Sequence, residues 1–253
     1  MKKTILLLLS TFLVLNIFAQ KGDDKIFFDD AFLISPSYSF QLPMSDMFNS
    51  YGFNHNIGLE LGYKFKKNWL VSVEGNFLFG AKVKDENLLN NLLTSEGSLI
   101  GADGNLEQVN LSGRGMNIMA KFGKIIHFNP KMANSGLLVK FGVGYIDHKI
   151  LIDVKDINVP QLSAVLKTGY DRFTSGIAFS QYVGLIKLEK KKFLNLSFGL
   201  ELTEGITQDR RPFDFATGKT IANTRLDLLI GFKFNWYLPV FMGKSNKDEY
   251  YYY

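Results

Sequence analysis

Eight stretches of the chain alternate, residue by residue, between bulky apolar side chains and small or polar ones. In the last of them, Leu226 to Trp236, one face carries Leu226, Leu228, Ile230, Phe232, Phe234 and Trp236, and the other Asp227, Leu229, Gly231, Lys233 and Asn235. A period of two is the signature of a β-strand with two unlike faces. The same pattern runs through 32–42, 57–65, 69–80, 115–123, 137–146, 176–186 and 194–203. In 57–65, for example, Ile57, Leu59, Leu61, Tyr63 and Phe65 oppose Gly58, Glu60, Gly62 and Lys64. The sixth stretch is less clean, because Gln181 falls on its apolar face.

The connectors alternate in length. Lys66-Lys67-Asn68 and the basic stretch from Leu188 to Lys192 are short. The link from Ile125 to Gly136 is intermediate, with Asn129-Pro130 and Asn134-Ser135-Gly136 as turn chemistry. Residues 43–56, 81–114, 147–175 and 207–225 form the longer class. An even-stranded barrel with both termini in the periplasm requires this order, short turns on the periplasmic side and long loops outside. The expected fold is therefore all-β, an eight-stranded antiparallel up-and-down transmembrane barrel over residues 31–238.

The orientation of the two faces follows from volume. The interior of an eight-stranded barrel is just wide enough for side chains to fill, and about thirty large apolar residues would overfill it. With the Gly, Ser, Asn and charged face inside, the outside becomes a lipid-facing band, and Trp69, Trp236 and Tyr237 mark its periplasmic border as interfacial aromatics. The lumen then receives Glu60, Lys64, Glu74, Lys121, Lys140, Glu201, Arg225, Asp227 and Lys233. Buried ions need partners. If the Lys66-Lys67-Asn68 turn centres on Lys67, Glu60 falls opposite Glu74, and Lys121, Lys140 and Lys233 sit at similar height. A hydrogen-bonded ionic plug in the lower lumen is the expectation.

Composition supports strands that bend and close: 14% aromatic residues, with 23 Gly and only 6 Pro. The N-terminus, Lys2-Lys3 followed by an apolar run to Ala19, reads as a secretory signal peptide over 1–19. As an anchor helix the run is short, since a span takes ~20 residues. Residues 20–30 form a polar leader and 239–253 a periplasmic tail ending in Tyr250 to Tyr253, which reads as an assembly signal, a docking peptide or a disordered end. Loss of Lys2 and Lys3 takes the formal charge from +5 to +3, with no basic stripe to suggest nucleic acid. The absence of Cys removes disulfides and thiolate metal sites.

Little in the sequence points to catalysis. His55, His127 and His148 lack metal-ligand spacing, and no cofactor is expected. His148, near Asp147 and Asp153, is the one loose candidate for the base of a lipid-modifying enzyme. In the second long loop Asp85 is placed to cap a short helix with an apolar stripe of Leu88, Leu89, Leu92 and Leu93, and residues 102–105 read as a turn. In the fourth, the arginines of Asp209-Arg210-Arg211-Pro212 are candidates for lipopolysaccharide phosphates.

The stretch Gln41 to Leu70 and the aromatic-rich final strand through Trp236 resemble small Gram-negative outer-membrane barrels of the OmpA/OmpX type. The resemblance implies the fold and the cell outer membrane, contact with outer-membrane lipid, lipopolysaccharide and the barrel-assembly machinery, and an accessory role in an envelope or secretion complex. A non-enzymatic structural or interaction protein with an envelope protein partner is the leading expectation. The alternatives are a narrow pore for ions or small solutes, a lipid-modifying barrel enzyme, and a soluble lipocalin-like binder with an apolar interior.

Overall fold

A computed structural model of the chain describes residues 30–85, 87–128, 134–154, 159–189, 194–220 and 223–241. The signal peptide, most of the leader, the Asn129-Pro130 turn and the terminal tyrosines lie outside these residues. Eight long strands form: β1 (Ala31–Ser45), β2 (Asn54–Lys64), β3 (Trp69–Gly80), β6 (Val109–His127), β7 (Gly136–Val154), β8 (Thr174–Lys187), β9 (Asn195–Asp209) and β12 (Thr224–Phe241). Two short hairpins decorate the long loops, β4 (Leu99–Ile100) with β5 (Leu106–Glu107) and β10 (Phe213–Asp214) with β11 (Lys219–Thr220), together with one turn of α-helix, α1 (Ala164–Lys167), and 3-10 turns over Asp46–Asn49 and Pro160–Leu162.

The long strands close in the order β1-β12-β9-β8-β7-β6-β3-β2, each antiparallel to both neighbours. Closure leaves no open edge among them, as backbone in hydrocarbon requires. A walk across paired residues starts at Met44 on β1 and passes Leu228, Glu204, Phe179, Val143, Ala120, Val73 and Leu61. It returns to β1 at Ile34, ten residues from its start. Such a stagger tilts the strands by roughly 35–45°.

All eight predicted stretches lie within these strands except for one or two residues at their ends, and the strands run further. β6 and β7 reach Val109 and Val154, well past the predicted limits of 115 and 146. β12 continues through Pro239 to Phe241, so the barrel exceeds the expected boundary at 238. The added length is mostly on the long-loop side, where apolar residues in phase with the strands find cover beneath the loops. The short turn after β2 is fixed by Asn68 at φ 60°, a left-handed conformation Asn tolerates, with Phe65 N–H donating to Trp69 O and Asn68 N–H to Phe65 O.

Large apolar side chains cover the outside. Ile57, Val73, Ile118, Val183, Phe198 and Phe232 are among many that lie about half exposed, and Phe198 and Phe232 stack face to face across β9 and β12. Trp69 stacks on Phe122 at 4.8 Å beneath the Lys124 ammonium, and Trp236 lies half-buried on the same outer face. Tyr237 departs from the expectation. It is 1% exposed and points into the lumen, because neighbours on a strand face opposite ways and Trp236 takes the outside.

Candidate functional site

The lumen is filled in layers. Nearest the short turns, Ala31, Leu33, Leu70, Ile125, Leu138, Ile186 and the rings of Tyr182 and Tyr237 make an apolar floor. Its polar atoms converge on Ser197: the Tyr182 hydroxyl donates to Ser197 Oγ at 3.0 Å, Asn235 Nδ2 donates at 2.9 Å, and Tyr237 lies at 3.3 Å. Lys64 is also fully buried near this end of β2, paired in the ladder with Ala31 and Leu70.

Above the floor lies an ionic layer of three lysines and three glutamates. Glu60 and Glu74 stand directly opposite each other on β2 and β3, a juxtaposition that repels unless each finds cations. Lys140 donates to both oxygens of Glu60, at 3.0 and 2.7 Å, and Ser72 Oγ adds a third bond at 2.6 Å. Glu74 accepts from Lys121, Lys233 and Ser37. Those two lysines also hold Glu201, Lys121 at 2.6 Å and Lys233 at 3.0 and 3.1 Å.

Lys121, Glu74, Lys233 and Glu201 therefore form a closed ring of alternating charge. Each lysine bonds a carboxylate on the adjacent strand and another across the lumen, so the ring braces β3, β6, β9 and β12. The sequence makes room for this locally. Each lysine pairs in the ladder with a glycine: Lys121 with Gly142, Lys140 with Gly123 and Lys233 with Gly199. A Cβ at Gly123 would come within 2.6 Å of the Lys140 stem, and one at Gly142 within 2.9 Å of the Lys121 stem.

Nearer the long loops the interior changes character. Asn54, Asn56, Asn76 and Asn117 line one wall, with Asn76 donating to Asn117 at 2.7 Å. Met119, Leu78, Ile146, Leu229, Ile150 and Ile152 supply apolar fill at this end. Within this apolar fill lies a polar knot. His148 Nε2 is 2.8 Å from Asp227 Oδ2, His148 Nδ1 is 3.3 Å from the Tyr51 hydroxyl, and Thr207 Oγ1 donates to Asp227 at 2.5 Å. Arg225 reaches the second Asp227 oxygen at 3.4 Å. Arg225 and Asp227 thus belong to a cluster separate from the ionic layer.

The strand phase of β7 turns His148 inward, whereas Asp147 and Asp153 face outward. The acids near it in sequence do not hydrogen-bond to it, so the loose candidate grouping of His148 with Asp147 and Asp153 does not form. His148, Asp227, Thr207 and Tyr51 are each at most 2% exposed. Asp46 accepts the Leu226 N–H at 2.8 Å, tying the first loop to β12 beside the same knot.

The loops roof the barrel as one unit. Leu88, Leu89, Leu99, Val159, Leu162 and Tyr170 pack into the cluster below. Leu88 and Leu89 do so from a run of turns, where a short helix was predicted; the predicted turn at residues 102–105 forms, with Gly104 at φ 80°. Arg211 makes a two-bond fork to Asp171, at 2.8 and 2.5 Å, and this bonding holds its guanidinium pKa above the ordinary value. Arg210 donates to Ser175 Oγ at 2.7 Å, and Arg172 joins Asp85 and Asp214. The two arginines that are candidates for phosphates each hydrogen-bond within the cap. Asn91 Nδ2 links the second loop to Tyr170 and Phe215, and Tyr51 bridges to Val83. On top, Phe48, Phe53, Ile100, Leu106, Val165 and Phe213 are exposed.

Sequence reasoning missed Tyr51, Thr207 and Asp46. Thr207 and His148 carry a usable signal, since extending the alternation of β9 and β7 puts both on the inner face. Among the described residues no group of three or more His, Asp or Glu side chains is placed to hold a metal ion.

No protein-family model matches the chain, and no curated protein sequence does. Among solved structures it is similar to the attachment invasion locus protein Ail of Yersinia pestis in complex with the heparin analogue sucrose octasulfate. That likeness has 9% identity and a TM-score of 0.38, and covers 83% of this chain and 99% of that one. It is also similar to the N-terminal β-barrel domain of Pseudomonas aeruginosa OprF, at 9% identity and a TM-score of 0.35, covering 81% of this chain and 97% of that one.

Proposed function

We propose that this protein is a non-enzymatic, non-conducting barrel of the Gram-negative outer membrane whose working surface is its fused loop cap, a rigid platform for an envelope or extracellular protein partner. The observation that carries this reading is the filled lumen: an apolar floor, an ionic layer and a loop-covered apolar roof follow one another along the axis. A band of outward apolar side chains supports residence in a bilayer. The exposed residues of the cap, with Val165 at 78%, supply the apolar contact that protein partners recognise. The cap arginines, already paired with Asp171 and Ser175, serve cohesion of the platform in this reading and not capture of lipopolysaccharide.

Planar-bilayer recording tests it. The wild-type chain is expected to pass almost no current, and joint Glu60→Gln and Glu74→Gln replacement to lower thermal stability or open a measurable conductance. Steady conductance of the wild-type protein would favour the narrow pore. A lipid-modifying activity abolished by His148→Asn would favour the enzyme. Crosslinking from intact envelopes through the cap is expected to recover a protein partner.

A further inference from the structure

One rung of the ladder crosses the outer face near the long loops, from Phe40 through His55, Phe79 and Arg114 to Lys149. All five side chains point away from the lumen. The first three form a ring row: His55 lies 5.5 Å from both Phe40 and Phe79, and the Tyr38 hydroxyl is 2.7 Å from its Nδ1. The last two are cations directly opposite each other, an arrangement that costs stability unless an anion lies between them. Among the described residues no carboxylate comes within salt-bridge distance of either. Arg114 Nη1 donates to Gly113 O at 2.9 Å. Asp147, two residues below Lys149 on the same face, accepts the Met116 N–H at 3.2 Å, and Lys149 acts on it only at longer range.

Depth puts this pair at the membrane border. Trp69 pairs with Lys124 at the short-turn end of β3 and β6, and Phe79 pairs with Arg114 further along the same two strands. The ten residues from 69 to 79 span ~34 Å of strand. At a tilt of roughly 35–45° that is about 24–28 Å along the axis. The apolar band of a membrane barrel is about 25 Å tall, with aromatic residues at both borders. Arg114 and Lys149 thus lie one band height from Lys124, at the level of the outer-leaflet headgroups. Below them the outward residues Met116, Ile118 and Tyr145 are about half exposed. Above them Ser112 and Asn110 are polar.

We propose that Arg114 and Lys149 form a binding site for the phosphate of an outer-leaflet lipid, whose acyl chains lie against the apolar surface of β6 and β7 below. A phosphate between the two cations turns a repulsive pair into charge-assisted hydrogen bonds, and the planar fork of Arg114 matches its oxygens. Lys149 adds a point charge from the neighbouring strand. The site is local. Near the loop ends of β9 and β12 the outward positions Ile206, Gln208, Thr224 and Leu226 carry no charge. This inference rests on the reading that the barrel spans the outer membrane, and is independent of the cap and its protein partner.

Native mass spectrometry of the full chain in detergent micelles, titrated with diphosphorylated lipid A, tests it. Joint Arg114→Gln and Lys149→Gln replacement is expected to lower lipid A affinity by about tenfold or more. Dephosphorylated lipid A is expected to bind the wild-type chain about as weakly, with no further loss in the double variant. Lys149→Arg, which keeps the charge, is expected to retain binding. So is a variant with Lys67→Gln and Lys187→Gln, which removes two charges at the short-turn end. Without lipid A the Arg114, Lys149 variant should be at least as heat-stable as the wild type, because the opposed charges are gone, and lipid A should raise the unfolding midpoint of the wild type alone. Heat-modifiable gel mobility establishes that each variant is folded.

Wild-type affinity in the Arg114, Lys149 variant, or equal binding of the dephosphorylated lipid, would overturn the proposal. So would an equal loss in the Lys67, Lys187 variant, which would reduce the effect to net charge. Displacement of lipid A by an equal concentration of inorganic phosphate would overturn the lipid assignment in favour of the free anion. Absence of the wild-type chain from the outer-membrane fraction would instead overturn the spanning reading, and this inference with it.

Discussion

The ionic layer and the loop cap both close the same cylinder, but they do so by opposite means. Six side chains make the layer, all from strand positions, and their ends meet because the ladder register fixes every Cα. The cap draws on four loops and on residues as distant in sequence as Asp46 and Leu226. In the layer long charged side chains cross-brace a wall that is already rigid. In the cap leucines and tyrosines bury the inner faces of segments whose own ladders are no more than two short hairpins. Charge is the efficient filler where geometry is fixed, because a salt bridge needs accurate placement before it repays desolvation. Apolar packing tolerates irregular backbone and suits the loops.

The comparison is sharpest at Glu74. Glu74→Leu leaves Lys121 and Lys233 to share Glu201 alone, and unfolding in lipid vesicles is expected to register a loss of about 3–5 kcal/mol. Converting Lys121, Glu74, Lys233 and Glu201 together to Met and Leu of similar volume should recover most of that loss, since no orphaned charge remains. A quadruple variant as damaged as the single one would mean that the ring contributes more than mutual neutralisation. Gly142→Val tests the packing of the layer. Its Cβ would meet Ser180 Oγ at 2.4 Å and the Lys121 stem at 2.9 Å, so about 1–3 kcal/mol is expected from the same unfolding measurement.

In the cap the effects are smaller and local. Asp171→Ala removes the fork to Arg211, whose side chain is about a third exposed (32%). With solvent screening the cost is about 1 kcal/mol or less. It is expected to appear as faster proteolysis within the long loops, with unfolding of the barrel unchanged and the bilayer still silent. Val165→Ser, at a side chain 78% exposed, should alter stability by no more than about 0.5 kcal/mol while reducing recovery of a crosslinked partner. If Val165→Ser destabilised the barrel as much as Gly142→Val, the distinction between a self-contained wall and a partner-facing roof would fail.

Much of the layer is legible in the sequence because it is local. Centring the Lys66-Lys67-Asn68 turn on Lys67 puts Glu60 against Glu74, and the ladder pairs them in that way. The depth of Lys121, Lys140 and Lys233 follows from counting back to the strand ends. Assigning Tyr237 to the outer border broke the alternation that places Trp236 there. Treating Arg225 and Asp227 as one network with the rest overlooked depth, since β12 lifts Asp227 to His148. The apolar upper interior was hidden for another reason. Leu78, Met119 and Leu229 sit on the otherwise polar face, and only the loops above explain them.

What the sequence by itself determined is the periodic part. A period of two, repeated eight times between short and long connectors, dictates strands, and side-chain volume dictates which face looks outward. These are local properties, carried by each residue and its neighbours two positions away. What only the tertiary structure decided is which inward groups meet: that Lys121 and Lys233 each bridge Glu74 and Glu201, that His148 takes Asp227 and leaves Asp147 outside, and that four loops fuse over the mouth. Those contacts depend on the ten-residue stagger around the ring, a property of all eight strands together that no single stretch contains.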